Sequence, residues 1–211
     1  MVRRWVGGMF VIAGLACAVM ATPPRTIVAF GDSLTAGHGA PADASYPDDL
    51  RRLDRAAGDN DRVVNLGVSG DTSQDGLQRI GAVLALHPDW VILEFGGNDG
   101  LRGLPVAATQ ANLQGMIVHL RQAGIHVLLV GMSLPPNYGP DYIHAFQGIF
   151  AELARRDHVP LLPFLYQDLL PRLRADPGLL QDDGIHATAA GNRVVAATVW
   201  RYLHPLLDRR H

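Results

Sequence analysis

Hydrophobic residues along this chain fall into short compact runs separated by longer stretches of mixed polarity. Thr26–Phe30 (TIVAF), Arg62–Leu66 (RVVNL), Trp90–Phe95 (WVILEF) and His126–Val130 (HVLLV) are apolar and rich in β-branched residues, as buried strands of a parallel sheet are. A weaker fifth run covers Pro160–Pro163. Between them, leucine, valine and isoleucine recur at spacings of three and four, which predicts helices over Tyr46–Ala57, Ser73–Leu86, Val106–Ala123, Tyr142–Asp157 and Thr188 to about His204. Gly58 and Gly124 stand where two of these helices should stop. Strand and helix therefore alternate throughout, which predicts an α/β fold with a parallel sheet, helices on both faces and right-handed crossovers. No repeat, low-complexity tract or linker divides the chain.

The amino-terminal stretch breaks this pattern. Arg3 and Arg4 precede an apolar run from Trp5 to Ala21, which ends at small residues and the pair Pro23–Pro24. That three-part layout predicts a secretory signal cleaved after Ala21 or Ala18, leaving residues 22–211 as a single domain. The apolar run is short for a spanning helix, and no basic stop-transfer cluster follows it. The expected location is the periplasm or the exterior, without stable membrane insertion after cleavage; an uncleaved membrane anchor is the competing reading. A lipid-modified Cys17 is disfavoured, because Gly14 and Leu15 match poorly the residues expected before such a cysteine.

Composition then removes several chemistries. The 211 residues carry 18 basic and 20 acidic side chains, a net charge of −2, and loss of Arg3 and Arg4 would leave 16 against 20, or −4. No basic field exists to attract nucleic acid. Every basic residue is Arg, so neither a P-loop lysine nor a pyridoxal Schiff base is available. With Cys17 the only cysteine, a mature chain has no thiol nucleophile, thiolate zinc site or internal disulfide. The nine histidines show no HExxH-type spacing, so no metal site is expected.

The candidate chemistry sits at the ends of the predicted strands. After the first comes GDSLTAG with Ser33, after the second GVSGDTS with Gly70, and after the third GGNDG with Asn98. The loop before the last helix reads QDDGIH and sets Asp183 and His186 three residues apart. Ester hydrolysis needs a nucleophile, a base, a carboxylate that orients the base, and donors for the oxyanion. Ser33, His186 and Asp183 supply the first three, while the N–H groups of Ser33 and Gly70 and the side-chain amide of Asn98 supply the donors.

These four blocks, in this order, resemble the SGNH or GDSL hydrolases, and together they extend over residues 26–191. GDTSQDGLQR, GGNDGLRG, LPPNYGPDY and QDDGIH look most like the bacterial periplasmic thioesterase, lysophospholipase and arylesterase subgroup. The resemblance implies a flavodoxin-like three-layer α/β/α sandwich around a five-stranded parallel sheet. It also implies a broad esterase and thioesterase acting on acyl chains with no metal or organic cofactor, and it selects Asp183 over Asp182 as the acid. One departure is Ala187, where the family often has proline after the histidine.

Other residues have plainer expected roles. Asp32 is expected to shape the turn at Ser33, Asp99 to fasten its loop, and Arg102 either to pair with Asp99 or to meet an anionic group. His38 is expected at the mouth of the site. Leu134, Tyr138, Tyr142 and Phe146 are either an apolar wall for an acyl chain or ordinary core. A carbohydrate acetylesterase and a non-catalytic flavodoxin-like binder are the alternative functions. With no heptads and no large apolar stripe, the chain is expected to be a monomer acting on a small-molecule ester or thioester.

Overall fold

The structure is a computed structural model and describes residues 23–207; the signal segment expected over residues 1–21 lies outside the described residues. Its elements in chain order are β1 (Thr26–Gly31), α1 (Ser33–Ala36), α2 (Tyr46–Ala57), β2 (Arg62–Gly67), α3 (Ser73–Gln78), α4 (Ile80–Leu84), β3 (Trp90–Glu94), α5 (Gly97–Leu101), α6 (Val106–Gln122), β4 (His126–Val130), α7 (Pro140–Asp157), β5 (Leu161–Leu162) and α8 (Ala189–Leu207).

All strand pairs are parallel and their order is β2-β1-β3-β4-β5, the flavodoxin-like arrangement. Helix α2 packs against α8 in one outer layer, and α6 packs against α3 and α7 in the other. Ile27–Phe30 of β1 and Val91–Leu93 of β3 are fully buried, so the sheet centre is a continuous apolar slab. Chain order reverses between β1 and β3: β1 leads to β2 on one side, and β3 returns on the other. At such a switch point two loops leave the sheet in opposite directions and open a crevice beyond the strand ends. Ser33 follows β1 and Asn98 follows β3, so both stand at that crevice.

Two expectations need correction. The run from Arg62 is not a fully buried strand: in β2 Arg62 and Asn65 are exposed and the other residues half-buried, since it is an edge strand that among the described residues pairs with β1 alone. The helix expected over Ser73–Leu86 is broken at Arg79, whose φ of −102° and ψ of 13° leave the helical basin. There the arginine side chain turns to hydrogen-bond the strand ends instead of continuing a surface face.

Candidate active site

The bend after β1 depends on close packing. A Cβ on Gly31 would overlap Thr35 Oγ1 and Glu94 Oε2, so only glycine lets β1 pass this close to its neighbours. Asp32 caps the four-residue α1, its Oδ1 accepting from Leu34 N at 3.0 Å, which is the turn-shaping role expected for it. Ser33 is the first residue of that helix and stays half-exposed.

Beneath the bend lies a buried polar floor. Glu94 Oε2 accepts from Asp32 N at 3.3 Å and from the Thr35 hydroxyl at 2.7 Å, while Tyr46 OH lies 3.1 Å from Thr35 Oγ1. Glu94 Oε1 has no hydrogen-bond partner among the described residues. Burial pushes the Glu94 carboxyl well above the usual carboxylate range, and the neighbouring Asp32 charge adds to the rise. Burial also raises Asp32, against hydrogen bonds from Leu34 and Asn98 and the charge of His186. Glu94 is thereby held toward its neutral form, while Asp32, pushed up to about 6, is still mostly ionised at neutral pH.

Asp183 and His186 arrive together on one loop. Asp183 Oδ1 accepts from Ile185 N at 2.9 Å and from His186 N at 3.0 Å, while Asp183 Oδ2 stands 2.6 Å from His186 Nδ1. Desolvation raises the Asp183 carboxyl, but these bonds, the imidazole one foremost, outweigh it and hold the pKa at about 2. With Nδ1–H directed at that carboxylate, His186 Nε2 is left as an acceptor, 2.9 Å from Ser33 Oγ. Ala187 does not leave the loop slack. Leu180 and Ala187 form an antiparallel bridge, Gln181 N donates to His186 O at 2.8 Å, and Gln181 Nε2 spans Ala187 O and His38 O. His38 is indeed beside the site, its ring packed 4.6 Å from that of His186.

The loop carrying Gly70 is fastened on two sides. Buried Asp99 accepts from Ser73 N and Ser73 Oγ and from Thr109 Oγ1, which gives it the fastening role expected. Arg102 donates to Gly70 O at 2.9 Å rather than to Asp99. Gly70 has a φ of +91°, in the left-handed region, and a Cβ built on it meets nothing within 4 Å. Asn98 Nδ2 donates to Asp71 O at 2.9 Å and to Asp32 Oδ2 at 3.2 Å. Its amide therefore already bridges two of the four sequence blocks.

Ser33, Asn98 and His186 border a cavity of about 470 Å³ whose remaining wall is largely apolar, including Leu134, Met132 and Phe164. Tyr138, Tyr142 and Phe146 do not line it. The two tyrosine hydroxyls donate to Leu101 O and Leu104 O, and Phe146 is fully buried in the core, so of the expected acyl wall only Leu134 faces the cavity. Residues that sequence reasoning passed over are Arg79, Glu94, Thr35 and Asp71. Only Glu94 carried a signal, as a lone acid at the end of an apolar strand run.

A loop-borne acid and base facing a serine at a switch-point crevice is the arrangement of a serine hydrolase. Residues 29–194 match the GDSL-like Lipase/Acylhydrolase family, and the chain belongs to it. It is similar to Esterase TesA of Pseudomonas aeruginosa, 40% identical over 184 residues that cover 87% of this chain and 90% of the relative. It is likewise 39% identical to Thioesterase 1/protease 1/lysophospholipase L1 of Escherichia coli strain K12, over 87% of this chain and 85% of that one. Among solved structures, a crystal structure of TesA superposes with a TM-score of 0.80 at 39% identity, covering 86% of this chain and 99% of the other. The protein is an ester hydrolase of this family.

Proposed function

We propose that the protein cleaves acyl esters and thioesters through Ser33, His186 and Asp183, with the N–H groups of Ser33 and Gly70 and the Asn98 amide as oxyanion donors. The observation that carries this reading is the unbroken chain Ser33 Oγ to His186 Nε2 at 2.9 Å and His186 Nδ1 to Asp183 Oδ2 at 2.6 Å. In the first step Ser33 Oγ attacks the acyl carbonyl while His186 Nε2 takes the hydroxyl proton. Asp183, ionised down to about pH 2, keeps the imidazole in the right tautomer and balances its charge. The tetrahedral intermediate expels the alcohol or thiol, which receives the proton from His186, and leaves an acyl-serine. Water, activated by the same imidazole, then releases the acid.

Asn98 has a specific part in this scheme. One of its N–H groups is spent on Asp71 O at 2.9 Å, and the other makes only a long contact of 3.2 Å with Asp32 Oδ2. A full negative charge on the intermediate competes well for that N–H, whereas the ground-state carbonyl competes poorly. Such a donor strengthens in the transition state, which is what accelerates the step.

The apolar cavity of about 470 Å³ is the proposed acyl site, within the size range of small-molecule clefts. The scheme requires no metal or organic cofactor. Residues 1–21 are proposed as the secretion signal and residues 22–211 as a monomeric hydrolase of the periplasm or exterior; among the described residues no helix is long and apolar enough to cross a membrane. The test is a series of p-nitrophenyl esters from acetyl to lauroyl, with a matching acyl-CoA. Rates that persist or rise beyond acetyl, and disappear in Ser33→Ala, are expected. Activity confined to acetylated sugars would instead favour a carbohydrate acetylesterase, and undiminished turnover by Ser33→Ala would remove the proposed nucleophile.

A further inference from the structure

We propose that Arg79 is a positioning residue that holds the oxyanion donors in register, an inference that rests on the assignment of Ser33, Gly70 and Asn98 to that role. Its guanidinium makes three hydrogen bonds to three separate segments. Nη2 donates to Gly31 O at 2.9 Å, Nη1 to Leu66 O at 2.9 Å, and Nε to Asp71 Oδ2 at 2.5 Å. Gly31 is the end of β1, two residues before Ser33. Leu66 and Asp71 stand on either side of Gly70, one near the end of β2 and the other in the loop beyond it. Asp71 also offers its carbonyl to Asn98 Nδ2. One side chain thus ties the strand that delivers Ser33 to both flanks of the Gly70 loop, and reaches Asn98 through Asp71.

The way Arg79 is held argues for placement. The guanidinium lies 4.4 Å from the ring centre of Phe30 and 5.5 Å from that of Phe95, so the two rings hold it in place while its N–H groups are spent on the three acceptors. Phe30 belongs to β1, and Phe95 directly follows β3 in the approach to Asn98. The adjacent Asp71 carboxylate offsets the charge of Arg79, which leaves little net field at a developing oxyanion. What remains is geometry: the relative position of loops that come from different strands. Lysine, a flexible point charge, cannot present a planar fork to three acceptors at once. Arg79 also stands where the expected helix breaks, between α3 and α4, so helical continuity is given up where this side chain turns inward.

The test compares Arg79→Lys, Arg79→Gln and Asp71→Asn with the parent protein. Active sites are titrated to completion with a fluorophosphonate, and kcat per titrated site and KM are measured on a p-nitrophenyl ester. Affinity for a trifluoromethyl ketone, which forms an anionic tetrahedral adduct with a serine, is measured alongside. Both Arg79 variants are expected to lose kcat per site, by up to about 10²-fold for Gln, since a displacement of about 1 Å at a reacting centre costs that much. KM should stay nearly constant, and ketone affinity should fall in parallel with kcat. Asp71→Asn should show a smaller loss of the same kind. If Arg79→Gln yields no folded protein, Arg79→Lys and Asp71→Asn decide alone. A lower melting temperature and fewer titratable sites, with normal kcat per site and normal ketone affinity, would overturn the proposal and leave Arg79 a purely structural tie. A parent protein that is not titrated at all would overturn the Ser33 assignment itself, a result distinct from a normal parent with unaffected variants.

Discussion

Thr35, Tyr46 and Glu94 are fully buried beneath Ser33 and Asp32 is only 1% exposed, whereas the side chain of Asp183, on the opposite side of the same reacting pair, is 43% exposed. The floor is assembled from β1, α1, α2 and β3, which meet only once the sheet has formed. The histidine loop is assembled almost entirely from itself, with Asp183 bonded to Ile185 and His186. Ser33, the proposed nucleophile, is thus positioned by tertiary packing, and His186, its proposed base, by local chain geometry. Damage to the floor should appear first as lost stability, and damage to the loop as lost rate.

Asp183→Asn tests the loop side and carries the largest expected effect. An asparagine cannot stabilise the imidazolium or enforce the Nδ1–H tautomer, and the expected fall in kcat is about 10⁴-fold, or roughly 5.5 kcal/mol. The melting temperature should move little, because the ion pair is screened by water at a side chain 43% exposed and an asparagine Oδ1 can still accept from Ile185 N and His186 N. The folded pKa of Asp183 is depressed from 3.8 to about 2, so stability from its pairing is complete above that range and lost only as pH falls toward 2. Loss of rate at milder acidity in the parent protein therefore reports another group.

Gly31→Ala tests the floor side with a smaller energy but the opposite signature. The added Cβ meets Thr35 Oγ1 and Glu94 Oε2 together with the Glu94 backbone carbonyl, which cannot move aside cheaply. Overpacking of this kind costs about 1–3 kcal/mol, read as a drop in denaturant midpoint. If Gly31→Ala cut the rate per folded molecule while leaving stability intact, the contrast between the two regions would fail.

Glu94→Gln probes the same floor through pH. A carboxyl whose folded pKa is raised binds its proton more tightly in the folded state, so the parent loses stability as pH climbs from 4.5 toward the folded pKa. Glutamine has no such dependence. The difference in melting temperature should therefore move in favour of Gln as pH rises from about 5 to 8, by at most about 3–5 °C per pH unit. A difference independent of pH would mean that Glu94 is ionised without cost.

The same contrast explains what could be read from the chain alone. Asp183 and His186 stand three residues apart and bond within one loop, so spacing points to the pair and the family resemblance needs only to choose Asp183 over Asp182. The runs of β1, β3 and β4 were legible because a buried parallel strand is apolar along nearly its whole length, and the edge strand β2 because its β-branched run survives partial exposure. The short α1 and α5 were not, since each is a single turn set by strand-end packing rather than by periodicity. Arg79 looked like one more polar position on a helix, because its three acceptors lie 48, 13 and 8 residues away in sequence. Tyr138 and Tyr142 stay open between acyl wall and ordinary core for a related reason: an aromatic residue after a strand fits either until its hydroxyl finds a carbonyl.

The proposed activation of one serine, Ser33, by the histidine loop underlies the whole reaction. It is tested most directly by treating the folded protein with a fluorophosphonate, weighing the intact chain, and locating the adduct by peptide mapping, with Ser33→Ala and His186→Ala as companions. A single adduct on Ser33, absent from Ser33→Ala and formed far more slowly in His186→Ala, is the predicted result. An adduct on another residue, or labelling of Ser33 at an undiminished rate without His186, would contradict the account.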